Sequence, residues 1–237
     1  LVVATSYSGN TEETLEACEQ AMSQDGTIVV ISSGGILSGM CELSDSMYLI
    51  SCPGGQPPRS AFGHIFSRQL SLLVEIGVLQ LEITDEALVR LQEAVDDSDI
   101  ITHPEGDVAS LALNMMENPI AILGPRELLP AINRFKNQLN ENSSRFARIG
   151  VFPEMNHNES VAWGGVGDDQ DPESSNQALA LLSWDGMHNR VEQRMDWFVS
   201  NCPTDLAWRI HGDGESLLEC LLHLCIMMDW LSIALGL

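Results

Sequence analysis

What most constrains the fold of this chain is an alternation. Short apolar runs at 1–4 (LVVA), 27–32 (TIVVIS) and 46–51 (SMYLIS) are separated by stretches whose apolar residues recur at helical spacing, as Leu15, Cys18 and Met22 do after Thr11. Strands that are apolar throughout have to be buried on both faces, and a parallel sheet covered by helices on both sides meets that need. A short helix is predicted over 35–42 and a longer one over 61–77. The pattern resumes at 119–124 (PIAILG). It continues with a helix from Arg126 to about Asn140, strands at 147–152 and 178–184, a helix at 190–200, a strand at 206–211 and a closing helix from about Glu215. The expectation is an α/β protein of two similar lobes, each an αβα sandwich: a first lobe over 1–82, connecting helices over 83–117 and a second lobe over 118–237. With 237 residues, 44% of them hydrophobic, the chain has enough apolar surface to bury such cores. The acidic, Gly- and Ser-rich stretch 164–177 reads as a flexible surface loop.

Ligands of a parallel sheet gather beyond the carboxyl ends of its strands. There the first run breaks into SYSGNTEETL. Ser6, Ser8 and Thr11 offer hydroxyls, Gly9 lets backbone come close, and the N–H groups and positive dipole end of the following helix face the same point. A phosphate fits that chemistry. So does a plainer arrangement, in which Asn10 and Glu13 form a capping pair and the hydroxyls serve only the turn.

Three further segments gather polar residues where a core would use apolar ones. In CPGGQPPRSAFG, prolines and glycines hold the chain irregular and place Arg59 just before a helix. Glu141, in KNQLNENSS, follows a helix that starts near Arg126, where the negative dipole end disfavours a carboxylate by a few tenths of a kcal/mol up to about 1. Partial burial there would raise its pKa, as a general base working near neutral pH requires. A solvated carboxylate at a frayed helix end is the alternative. His157, in FPEMNHNESVAWG, lies among Glu154, Asn156, Asn158 and Glu159, which could hold the imidazole in one tautomer.

Other chemistries find less support. A formal net charge of −23 repels nucleic acid and anionic membranes, so neither is expected as a partner. The G-x-G-x-x-G fingerprint and the P-loop are absent, which argues against nucleotides. Glu154 and His157 are spaced like carboxylate-bridged metal ligands, but no second E-x-x-H occurs to complete such a site, so no metal is expected. The six cysteines lack C-x-x-C spacing and sit in apolar segments, as in a reducing cytosol. No stretch reads as long enough to cross a membrane, and the start lacks the basic residues of a signal peptide. Both ends read as interior to a longer protein.

SYSGNTEETL matches S-x-S-G-x-T, the phosphate-binding signature of the sugar isomerase (SIS) domain. Together with PPRSAFG, the NENS turn and PEMNHNE in this order, it makes the whole chain resemble the bifunctional phosphoglucose/phosphomannose isomerases. That resemblance implies two SIS-type lobes with a parallel, about five-stranded sheet in each, a cytoplasmic homodimer, a sugar phosphate as substrate and no cofactor. It makes Ser6, Ser8 and Thr11 the phosphate ligands, Glu141 the base that moves a proton between C1 and C2, and Arg59 the cation that stabilises the enediolate. His157, donated across the dimer interface, would help open the sugar ring. Glucose 6-phosphate and mannose 6-phosphate would then interconvert with fructose 6-phosphate. Two departures stand out: the family's upstream Gly- and Ser-rich turn and its lysine near the carboxyl terminus have no counterpart here, where Lys136 is the single lysine. A non-catalytic phosphosugar-binding SIS module and an aminosugar phosphate isomerase are the alternatives.

Overall fold

The apolar runs form strands, and the first three belong to one sheet. In a computed structural model, which describes residues 1–81, 83–164 and 169–237, the chain divides into two units, Leu1–Glu82 and Ile83–Leu237. The first unit runs β1 (Val2–Thr5), α1 (Glu12–Met22), β2 (Ile28–Ser32), α2 (Gly35–Leu43), β3 (Met47–Ser51) and α3 (Phe62–Glu75). Its strands are parallel in the order β1-β2-β3, with Val2 opposite Ile28 and Ile28 opposite Met47. Alternation along β2 supplies two cores. Ile28 and Val30 join Cys18 of α1 and Leu37 of α2, while Ile31 joins Tyr7, Cys52 and Ala61. Only the central strand is covered on both sides as expected. Val2, Val3, Tyr48 and Leu49 on the two edge strands stay exposed, because an edge strand has a neighbour on one side only.

The second unit runs α4 (Asp85–Ser98), α5 (Asp107–Met115), β4 (Ile120–Pro125), α6 (Leu129–Asn142), β5 (Ala147–Phe152), α7 (Glu159–Ala162), β6 (Ala178–Ser183), α8 (Asn189–Asn201), β7 (Ala207–His211) and α9 (Leu217–Ala234). Its parallel sheet has the order β5-β4-β6-β7, and the inner strands β4 and β6 are buried along their whole length. On one face Phe152, Trp163 and Phe198 meet edge to face, with ring centroids 5.7 and 5.6 Å apart. Among the described residues the sheets therefore hold three and four strands, the number of apolar runs in the sequence, in place of the five per lobe that the family resemblance implies.

The helices α4 and α5, read in the sequence as connectors, pack on α9. Arg90 of α4 bonds Glu219 of α9 at 2.6 Å, and Ser216 caps α9 by accepting from the Glu219 N–H. By length and composition alone α9 is apolar enough to cross a membrane, which corrects the sequence reading. Its polar residues Glu219, Asp229 and Ser232 instead bond α4 and α6, as a core helix of the unit. Of the supposed flexible loop 164–177, residues 165–168 lie outside the described residues. The remainder is tied down. Asp171 N–H donates to Ala162 O at 2.8 Å, Ser174 is buried, and a 3₁₀ turn forms at Ser174–Asn176.

All six thiols are free. Burial pushes several of them up, Cys225 to about 12, so these behave as small apolar side chains rather than nucleophiles.

Candidate functional site

The turn after β1 is built by a second turn that holds it. Tyr7 O accepts from Ser33 N–H at 2.9 Å and from Ser33 Oγ at 2.6 Å, and Gly9 O accepts from Leu37 N–H at 3.0 Å. These bonds bring the two backbones so close that a Cβ on Gly9 (φ +67°) would lie 1.8 Å from Gly34 O, and one on Gly35 (φ +73°) 2.2 Å from Ser8 O. Glycine is obligatory at both positions. Within the turn Ser6 is buried, and its Oγ lies 2.8 Å from Thr11 Oγ1 at the first turn of α1. Ser8 stays exposed, with its Oγ accepting from Asn10 N–H at 3.3 Å.

The Asn10–Glu13 capping pair is not the arrangement adopted. Thr11 is the N-cap of α1 and makes no side-chain cap bond, while Asn10 Oδ1 accepts from Ile36 N–H in the first turn of α2. The hydroxyls of Ser6 and Thr11 thus lie together at a helix N-terminus that neither of them caps, which suits an incoming oxyanion.

Arg59 belongs to the same unit. It sits half-buried in a 3₁₀ turn, Pro58–Ala61, directly before α3. Tyr7 sets the path of the chain leading to it: its OH donates to Pro53 O at 3.0 Å and accepts from Gln56 N–H at 3.2 Å. One residue of the turn after β1 therefore also positions the segment that carries the arginine.

Glu141 lies in the last turn of α6, not beyond it, because the helix continues to Asn142. Three residues one turn apart clamp this helix to α9. Arg134 bonds Asp229 Oδ2 at 2.5 Å, Gln138 donates to Asp229 Oδ1 at 2.9 Å, and Asn142 donates to Ser232 Oγ at 2.8 Å. Leu139 O then accepts from Ser143 N–H, Ser143 Oγ and Arg145 N–H, and Ser144 takes φ +53° where glycine is usual. The helix end is firmly held. The Glu141 side chain itself is exposed, so the partial burial expected of it is absent.

His157 closes a 3₁₀ turn, Glu154–His157, after β5, and is exposed. The polar cluster around it is otherwise engaged. Asn156 donates to Ser160 Oγ at 3.3 Å, Asn158 Oδ1 caps α7 by accepting from Glu159 N–H, and Glu159 pairs with Arg148 at 3.0 Å. Among the described residues none of these side chains holds the imidazole, which corrects the expectation of a fixed tautomer. Glu141 precedes the amino end of β5 and His157 follows its carboxyl end, so the strand separates them by roughly 20 Å.

The residues that reasoning from sequence missed are the braces Tyr7 and the SSGG turn at 32–35, while Asn10, read there as a cap of α1, braces α2 instead. Their signal was available in the paired glycines and serines beyond β2, which occupy the position that the Ser6 turn occupies beyond β1.

Residues 105–237 match the bacterial phospho-glucose isomerase C-terminal SIS domain. The bifunctional phosphoglucose/phosphomannose isomerase of Caldicellulosiruptor bescii is 30% identical over 252 residues, covering all of this chain and 70% of that protein. The D-glucosamine-6-phosphate 4-epimerase of Sulfolobus acidocaldarius is 34% identical over 159 residues, covering 67% of this chain and 49% of the other. Among solved structures, glucosamine-6-phosphate deaminase from Thermotoga maritima superposes with a TM-score of 0.67 at 16% identity, over 98% of this chain and 69% of that one. At that identity the likeness concerns the fold.

Proposed function

The chain belongs to the family of bifunctional phosphoglucose/phosphomannose isomerases, and from that premise we propose that it interconverts glucose 6-phosphate and mannose 6-phosphate with fructose 6-phosphate. The observation that carries this reading is the braced turn, where the Ser6 and Thr11 hydroxyls meet 2.8 Å apart at the start of α1. Ser6, Ser8 and Thr11 bind the substrate phosphate. The Glu141 carboxylate takes the proton from C2 of the open-chain aldose and returns it to C1, while a second proton passes from O2 to O1. No electron leaves the sugar. Charge builds on the enediolate oxygens between the two transfers, and the Arg59 guanidinium offsets it. His157 assists ring opening, and no metal or cofactor takes part.

Both units act as SIS-type lobes in this reading, and the enzyme is a cytoplasmic homodimer. The separation of Glu141 and His157 along β5 favours a His157 that serves the neighbouring copy's substrate. A coupled assay on the complete protein tests the activity. Glu141→Gln should lower kcat by roughly 10²- to 10⁴-fold with sugar-phosphate affinity nearly unchanged, and a variant at full rate refutes the assigned base. The Sulfolobus epimerase favours a second reading, an aminosugar phosphate as substrate; turnover of glucosamine 6-phosphate in preference to fructose 6-phosphate would establish it.

A further inference from the structure

Cations are scarce here, 11 against 34 acidic residues, and several arginines of the second unit are committed. Arg90 pairs with Glu219, Arg134 with Asp229, Arg148 with Glu159 and Arg209 with Asp196. Arg190 and Arg194 are different: neither has a hydrogen-bond or ion-pair partner for its guanidinium among the described residues. They share one stripe of α8 with Gln193 and Trp197, at i, i+3, i+4 and i+7, and all four side chains are exposed.

Asn156 and Ser160 face that stripe and complete a cavity of about 420 Å³, a size typical of small-molecule sites. The cavity has a direction. Two guanidiniums at one end match the geometry and charge of a phosphate. Trp197, 47% exposed, lies about 5 Å beyond Arg194 along the helix and offers a flat face to the apolar side of a sugar ring. Gln193 supplies an amide for hydroxyls. Asn156 spends its Nδ2 on Ser160, while its Oδ1 is buried with no donor, an acceptor left unused at the cavity wall.

We propose that this cavity is a second sugar-phosphate site, in which Arg190 and Arg194 hold the phosphate and Trp197, Gln193 and Asn156 hold the sugar. Its lining residues all belong to the second unit, whereas the Ser6 turn belongs to the first. Asn156 is adjacent to His157 on the same 3₁₀ turn, so an occupied cavity fixes the segment that presents the imidazole. That regulatory consequence rests on the isomerase reading; the binding does not.

Calorimetric titration of the complete protein with glucose 6-phosphate should give two binding events per chain. In Arg190→Gln/Arg194→Gln one event should weaken by roughly tenfold or more while the other persists. Arg190→Lys/Arg194→Lys, which keeps the charge and loses the planar fork, should fall between. Trp197→Phe should abolish the fluorescence change that accompanies the second event. A single event in the wild type, or two events untouched in the Gln variant, overturns the proposal. So does inorganic phosphate or adenosine monophosphate filling the cavity as tightly as glucose 6-phosphate does. Turnover without the second event refutes this site alone, and the second event without turnover refutes only the isomerase reading.

Discussion

The Ser6 turn and the Glu141 helix end solve the problem of placing a functional side chain in opposite ways. In the turn, backbone holds backbone: Tyr7 O and Gly9 O are bonded across to Ser33 and Leu37, and Gly9 and Gly35 allow the approach. At the end of α6, side chains hold the helix through Asp229 and Ser232, and the Glu141 carboxylate is exposed. The first device leaves little freedom to the backbone that carries the Ser6 and Ser8 hydroxyls. The second fixes the position of the Glu141 backbone along the end of α6.

The contrast predicts unequal fragility. Gly9→Ala forces a Cβ into Gly34 O at a positive φ, and should cost the first unit on the order of 3 kcal/mol together with phosphate binding. Hydrogen exchange should show the loss there and leave the α6–α9 amides protected; equal loosening of both units would break the distinction. Asp229→Ala removes the acceptor shared by Arg134 and Gln138 and should cost about 2 kcal/mol. Its kcat should fall while sugar-phosphate affinity holds, and an affinity loss matching the kcat loss would show that the two devices are not separate.

The smallest effect concerns acid. Burial lowers the His223 pKa, and neighbouring His211 adds to this against the attraction of Asp213. The folded state therefore resists protonation that the unfolded chain accepts. Stability is full above about pH 6.5, the ordinary value, and is lost as pH falls through the depressed folded pKa. Chemical denaturation of the second unit should follow that slope, and His223→Gln should flatten it. A midpoint that rises between pH 6.5 and 5 would contradict the assignment.

Much of this was legible in advance where composition alone decides. Runs such as TIVVIS and PIAILG have no amphipathic alternative, so their strands formed almost where the pattern put them. The helix end at Glu141 was harder to place, because KNQLNENSS has no terminal glycine and the stop comes from Ser143 and Ser144 folding back on Leu139. The polar neighbours of His157 misled for a related reason. Residue type announces hydrogen-bonding capacity, but only the fold decides that Asn158 caps α7 and Glu159 takes Arg148. The SSGG brace was overlooked because it straddles the end of β2 and the start of α2, where each residue already had a plausible duty.

The placement of Glu141 before β5 and His157 after it has a genetic consequence. If each complete site draws its carboxylate from one copy and its imidazole from another, two crippled alleles can rescue one another. Glu141→Gln and His157→Ala chains, each nearly inactive alone, should regain turnover when unfolded together and refolded as a mixture, since a mixed pair assembles one site from its two undamaged halves. Mixtures no more active than their parents would place both groups on a single chain.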